Sequence, residues 1–499
     1  MRLKFTQGEN HKWWALGTVS IGVFMAVLDA NIVNIALPSV MTSFRTDLIT
    51  VEWVVLAYLL TISVMLLPMG RLSDIVGRKK VYRAGFGVFI LGSALCGVAP
   101  GVELLIAARM IQALGASMTM ANGLAITTSI FPARQRGQAL GLNSTTVAVG
   151  ATLGPTLGGL LVDALGWRSI FYLNLPVGLI GMAMAHLVLR EELVTTTGHR
   201  RPSFDWPGAV TSAVTLGAFI LTMSRAEVWG WTALPTLALL STAIVFFVAF
   251  IVVERRSADS MIDLAFFRNR AFAAGVGASF LPFLAMSSNQ FLMPFFLQTV
   301  QGYQARQAGL MITPVAVMLA VMGPVSGRLS DRFGARAFSS IGLGIVGLAL
   351  LWLSFIPRDA SYVQVLVALA MVGAGIGLFQ SPNNSSVLST VPRASYGTTA
   401  AFLNLTRNTG QVTGIAVAGT IVTIVMGGAM ESLASGAPVS ASQVQPFLDG
   451  MHAAYLAGAA FAFAGCLASL VRGPRLAPVE DAPALGGSPV VGGRPSHPR

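Results

Sequence analysis

The chain has 499 residues, of which 54% are hydrophobic and only 10% charged, and its mean hydropathy is +0.71. Soluble domains carry about 25% charged residues because their surfaces face water, so this composition excludes a soluble enzyme, a disordered chain and a disulfide-rich secreted domain. A polytopic membrane protein remains, and the net charge of +12 becomes a question of placement.

A hydrocarbon core about 30 Å thick takes roughly 20 apolar residues of helix to cross. Runs of that kind predict spans at 13–37, 51–69, 81–100, 103–127, 139–163, 167–189 and 207–225. They continue at 232–253, 271–298, 306–326, 338–356, 361–382, 399–425 and 451–471, fourteen in all. The runs are continuous, unlike the alternating segments of a membrane β-barrel.

Cytoplasmic loops should hold the excess of Lys and Arg. With the N-terminus inside, 25 basic residues fall on the cytoplasmic side and 5 outside, while Arg109 and Arg407 lie within spans. The excess alternates loop by loop, so one missed helix would destroy it, and both termini are expected in the cytoplasm. Basic residues scattered over short loops give no support to nucleic-acid binding. The first span is about 25 residues long, more than a signal peptide's apolar core, and is expected to be a retained anchor. Cys96 and Cys466 each sit inside a span and build no disulfide framework. The Pro- and Gly-rich end, 472–499, is expected to be a disordered cytoplasmic tail.

An internal repeat organises the chain. Gly70-Arg-Leu-Ser-Asp74-Ile-Val-Gly77-Arg78-Lys79 follows the second span, and Gly327-Arg-Leu-Ser-Asp331-Arg-Phe-Gly334-Ala-Arg336 follows the tenth. Six of ten positions are identical at an offset of 257 residues. A parallel repeat of six-helix halves is a transporter architecture, with the substrate site between the halves near the midplane. The expected divisions are a cytoplasmic tail (1–12), an N-terminal six-helix bundle (13–189), a linker with two extra transmembrane helices (190–270), a C-terminal six-helix bundle (271–471) and the cytoplasmic tail.

Four segments carry a family resemblance: Leu28-Asp29-Ala-Asn31-Ile-Val-Asn34-Ile-Ala-Leu37-Pro38, the loop from Gly70 to Lys80, Gly150-Ala-Thr-Leu-Gly154-Pro155-Thr-Leu-Gly158-Gly159, and Gly166-Trp167-Arg168-Ser-Ile-Phe171-Tyr-Leu-Asn174-Leu-Pro176-Val-Gly178. A fifth, Arg109-Met-Ile-Gln112-Ala113-Leu-Gly115, has Ala113 where Gly is usual. Over roughly residues 13–471 the chain resembles the major facilitator superfamily, in its fourteen-helix drug:proton antiporter branch. The resemblance implies an all-α major facilitator fold of two six-helix bundles plus two inserted helices. It implies multidrug-efflux, antibiotic-resistance transport across the bacterial inner (plasma) membrane.

Asp29 heads the candidate residues, because an ionisable group inside a span is expensive and faces the bundle interior or water. From the span midpoints, Asp29 lies about 6 Å and Arg109 about 9 Å toward the outside at 1.5 Å per residue, so the two charges share a depth. Protonating Asp29 would release Arg109; a static pair that fixes packing is the alternative. The resemblance links both positions to proton exchange. Glu52, opening the second span, either exchanges protons or is a solvated acid at a helix N-terminus. Gly150, Gly154 and Gly158 make one smooth face, and Pro155 removes a hydrogen bond and bends the helix; with Gly159 they form the antiporter motif. A bent fifth helix at the interface of the halves would bias which side opens.

Gly70, Asp74, Gly77, Arg78 and Asp331 are the expected conformational latch. The glycines allow a tight turn and close approach, and the acids can accept hydrogen bonds from helix N-termini or pair with basic residues. Asn34, Asn289 and Gln290, with Tyr58 and Phe291 as aromatic walls, are the candidate substrate contacts, although polar amides in spans also serve to glue helices. Arg407 finds no acid at its depth in the C-terminal half.

No P-loop occurs, and Gly342-Leu-Gly344-Ile-Val-Gly347 lies inside a span without a βαβ unit. The five histidines form no metal spacing. The reading is therefore a secondary transporter rather than an enzyme, without cofactors, driven by the proton gradient. It exports small lipophilic drugs or toxic metabolites by alternating access. Its partners are a small-molecule substrate, protons and the lipid bilayer, and it works as a monomer, alone or with accessory export proteins. Export of one dedicated metabolite, proton-coupled uptake of a solute, and a membrane enzyme or receptor are the alternatives. Four Lys against 28 Arg point to a GC-rich coding sequence and a bacterial source.

Overall fold

The computed structural model describes residues 10–46, 48–190, 204–257, 262–303, 305–392, 395–426 and 441–470. Among these, fourteen helices are long and apolar enough to cross a membrane. The first five are α1 (His11–Phe44), α2 (Leu48–Val76), α3 (Arg78–Val98), α4 (Val102–Ile130) and α5 (Arg136–Leu165). The sixth crossing is two pieces, α6 (Ser169–Tyr172) and α7 (Asn174–Val188). The inserted pair is α8 (Trp206–Trp229) and α9 (Leu234–Arg256). The rest are α10 (Arg270–Phe295), α11 (Ala305–Phe333), α12 (Ala335–Leu353), α13 (Tyr362–Leu388), α14 (Tyr396–Met426) and α15 (Ala441–Leu470). The expected tail 472–499 lies outside the described residues.

One expectation is corrected. The repeated segment is not a loop: α2 runs on through Asp74 to Val76, and only Gly77 leaves the helix, at φ 112°, before α3 begins at Arg78. Its counterpart behaves alike, with α11 ending at Phe333 and Gly334 at φ 92°. A side chain is strained at these angles, so one glycine suffices to turn the chain. The sixth span crosses as one run, Ser169–Val188, with a local break in its hydrogen bonding. Pro176 has no N–H for the carbonyl of Tyr172, and the helix is interrupted at Leu173.

Each half builds its own apolar core. In the N-terminal half Val19, Met25, Tyr82, Phe86 and Phe89 are buried together. In the C-terminal half Leu292, Phe296, Leu350, Leu369 and Tyr455 are. A further cluster crosses between halves, with Leu124 and Leu140 against Phe272, Val387, Tyr396 and Leu403. The inserted helices pack on each other, and α8 also lies against α2 and α14. Leu234, Ile244, Val245 and Val248 on α9 stay exposed, the surface expected of a lipid-facing helix.

Candidate functional site

The deepest charges in the bundle meet as a pair. Asp29 on α1 and Arg109 on α4 are both fully buried, with Arg109 Nη1 2.5 Å from Asp29 Oδ2. The other carboxylate oxygen, Oδ1, accepts from Gln112 Nε2 at 2.8 Å and Asn174 Nδ2 at 2.7 Å. Gln112 in turn accepts from Arg109 Nη1 at 2.6 Å and donates to Ser93 Oγ at 2.8 Å. Arg109 Nε donates to the carbonyl of Val54 at 3.1 Å, and its guanidinium carbon lies 3.9 Å from the ring centre of Tyr58. Five helices thus meet around the pair, and three donor side chains from two of them, α4 and α7, bond the carboxylate that α1 carries. Within this cluster of described residues, Arg109 Nη2 is buried without a hydrogen bond.

The sequence reading paired Asp29 with Arg109 by depth, while Tyr58 was expected as a cavity wall. Tyr58 is instead fully enclosed beneath Arg109, because its ring supplies the negative π face on which a desolvated guanidinium rests. Gln112 was not singled out, although its place three residues after Arg109 puts both on one helix face. Ser93 carries no sequence signal of its own. Asn174 reaches Asp29 from the start of α7, just beyond the interruption that Pro176 explains. The side chain of Glu52 lies outside the described residues.

The two repeat acids sit at the end of the bundle that carries most of the basic loop residues. Asp74 accepts from Arg78 at 2.8 Å and from its own repeat's opposite half: Gly397 N at 3.2 Å, Thr398 N at 3.0 Å and Thr398 Oγ1 at 2.7 Å. Asp331 accepts from Gly137 N at 3.0 Å and Gln138 N at 3.2 Å. Each half therefore places one carboxylate on the N-terminus of a helix of the other, α14 or α5, where the free N–H groups and the dipole favour an anion. The ring of Tyr396 lies between the Arg78 and Arg136 guanidinium groups, at 5.9 and 5.7 Å. Gly70 permits this closure, since an added Cβ would lie 2.6 Å from Ala401 Cβ.

The antiporter-motif glycines pack elsewhere than expected. A Cβ on Gly154 would lie 2.8 Å from Asn31 Cβ, and one on Gly158 2.8 Å from Ile32 Cγ1, so this face meets α1 within the same half. Gly159 meets nothing, and the side chain of Pro155 lies outside the described residues. Contact between halves on α5 runs instead through Gly137 and Gly141, whose backbones touch Gly327 and Gly323 of α11. Thr145 also donates across this seam to Ala320 O at 2.7 Å.

The candidate substrate residues do not converge in this conformation. Asn34 is exposed on α1 and among the described residues reaches only Ala30 O, at 3.4 Å. Asn289 is buried near Tyr455 Oη, at 3.4 Å. Gln290 is exposed and accepts from Gln411 at 2.8 Å, while Phe291 packs edge-on to Phe295. Among the described residues, no group of His, Cys, Asp and Glu is placed to hold a metal ion.

The family model of the Major Facilitator Superfamily matches residues 19–415. The chain is 35% identical over 407 residues to the riboflavin transporter RibZ of Clostridioides difficile, covering 80% of this chain and 86% of that protein. It is 36% identical over 403 residues to the multidrug resistance protein Stp of Mycobacterium tuberculosis, covering 81% of this chain and 74% of that one. Among solved structures it superposes on the human organic anion transporter MFSD10 with a TM-score of 0.66 at 15% identity, over 93% of this chain and 100% of the other. The chain belongs to the major facilitator superfamily: it is a multi-pass membrane transporter and not an enzyme.

Proposed function

We propose that this transporter exports small lipophilic solutes in exchange for protons, by alternating access, with its basic end in the cytoplasm of a bacterial cell. The observation that carries the reading is the enclosed Asp29–Arg109 pair with its amide partners. A guanidinium stays charged at any working pH, so a proton on Asp29 converts a compensated pair into an uncompensated buried cation. That state is costly, and moving helices to relieve it is how proton binding would drive the conformational change. The cytoplasmic latch formed by Asp74 and Asp331 supports a conformation closed toward the cytoplasm, which would receive protons from outside. One proton entering across 100 mV supplies about 2.3 kcal/mol, enough to drive accumulation outside. The gradient is the energy source, with no cofactor, and the protein works as a monomer.

The likeness to a multidrug resistance protein favours broad export, and the likeness to a riboflavin transporter favours a single dedicated solute as the second reading. Inside-out vesicles test the mechanism. Uptake of a lipophilic dye should require an imposed proton gradient and vanish in Asp29→Asn. Gradient-independent movement would refute proton coupling, and unchanged transport in Asp29→Asn would refute the assignment of the carrier. Accumulation in right-side-out vesicles would mean uptake instead.

A further inference from the structure

Arg407, a partly buried cation within a span, has no counter-charge among the described residues. Arg407 lies on α14 about 6 Å to the cytoplasmic side of the helix midpoint at 1.5 Å per residue. Among the described residues it makes no ion pair and no hydrogen bond; its recorded contact is the face of Phe283, with the guanidinium carbon 5.8 Å from the ring centre. Such a charge at membrane depth is expensive unless something compensates it.

The side chain lines a small pocket between the halves, and two amides there share its condition. Gln380, 7% exposed, and Asn384 line the same pocket and make no hydrogen bond among the described residues. The other polar members are occupied: Asn404 Nδ2 donates to Met120 O at 3.1 Å, and Ser279 Oγ donates to Gly275 O at 3.0 Å. No Asp or Glu lines the pocket. A guanidinium offers five N–H donors and no acceptor, while each amide is balanced, with two donors and an oxygen bearing two lone pairs, so the excess of donors comes from Arg407. The unpaired set is therefore rich in donors and positive, beside the flat apolar faces of Phe283 and Phe379.

We propose that Arg407, Gln380 and Asn384 bind the anionic group of a transported lipophilic acid, a carboxylate or sulfonate, when the halves part at the cytoplasmic end. The inference rests on the export reading and names its substrate class. In the present conformation the pocket has room for roughly one water molecule. Leu124 is the lining residue that the N-terminal half supplies, and separation of the halves carries it away. The anion is then held in the cytoplasm-facing state and excluded in the latched state, the difference in affinity that a ligand needs to shift a conformational equilibrium. The apolar body of the acid lies against Phe283 and Phe379, and its charge pairs with Arg407.

Equilibrium binding tests this without a gradient. The purified full-length protein in phosphatidylcholine nanodiscs is titrated with anilinonaphthalene sulfonate and with phenylnaphthylamine, its uncharged counterpart, against empty nanodiscs. Arg407→Gln should weaken sulfonate binding about tenfold or more, the loss of one charge-assisted contact, and leave the neutral dye unchanged. Arg407→Lys should restore part of the difference. Equal sulfonate affinity in wild type and Arg407→Gln would overturn the proposal, as would equal loss of both dyes, which marks a packing role. Competition by chloride as effective as that of a soluble aromatic carboxylate would overturn the substrate class in favour of a resident inorganic anion. Failure of proton-driven uptake in vesicles, with this binding pattern intact, would sink the export reading alone.

Discussion

Gly137→Ala should unlatch the end of the bundle that Asp74 and Asp331 hold closed. An added Cβ would lie 2.6 Å from Gly327 O and 2.6 Å from Asp331 Oδ1, where ordinary contact begins near 3.4 Å. The first neighbour is backbone and cannot swing aside, so α5 and α11 must separate by about 0.8 Å. The Asp331 bonds to Gly137 N and Gln138 N, now 3.0 and 3.2 Å, then stretch past the reach of a hydrogen bond. Each charge-assisted bond contributes about 1.5–3 kcal/mol when enclosed. With water able to replace part of this at the rim, the pair amounts to about 2–3 kcal/mol, a shift of roughly 30- to 150-fold toward the parted state. The better helix propensity of Ala acts equally in both states and cancels. Spin labels at the exposed positions Arg134 and Arg336, one in each half, read the separation by electron–electron distance measurement. The distribution should move to longer distances in Gly137→Ala and stay put in Gly159→Ala, whose Cβ meets nothing on the same helix. An unchanged distribution in Gly137→Ala, with Asp331→Ala also silent, would refute the latch.

Asp29→Leu should cost about 3–5 kcal/mol by leaving Arg109 buried and unpaired, seen as a fall in the thermal midpoint that Asp29→Leu/Arg109→Leu partly restores. Tyr58→Phe keeps the ring under Arg109 and loses only the hydroxyl, which lies 3.4 Å from Ala26 O and beside Asp29, so it should cost less than Tyr58→Leu, which should lose about 1–2 kcal/mol more in the same melt. Gly77→Ala and Gly334→Ala should each destabilise by about 1–3 kcal/mol through backbone strain at φ 112° and 92°, whereas Gly344→Ala should not. Asn174→Leu removes one of the two amide donors to Asp29 Oδ1. It should lower the thermal midpoint in the same melt, at a cost of about 1–3 kcal/mol for leaving a buried polar group without one of its partners; an unchanged midpoint would show that this donor adds nothing to the pair.

Much of this was legible in one dimension. Continuous apolar runs and alternating basic loops specify fourteen crossings, because a bilayer demands length and apolarity from every crossing helix. The repeat around Asp74 and Asp331 marks two halves, and the common depth of Asp29 and Arg109 follows from helical rise alone. What a side chain meets sideways was not legible. The faces of helices that are apolar all round carry little periodic signal, so nothing along the chain says that Tyr58 lies under Arg109 rather than in a cavity, or that Gly154 faces α1 and Gly137 faces α11.

The amino-acid sequence by itself determines a polytopic membrane transporter with one deep acid–arginine pair, since those conclusions depend on composition and on position along single helices. Tertiary structure alone decided that Gln112 and Asn174 complete the pair, that each repeat acid caps a helix of the other half, and that Arg407 shares a pocket with Gln380 and Asn384. Those facts depend on which helices become neighbours, and in a membrane that choice is made by close packing and hydrogen bonding between helices rather than by burial from water.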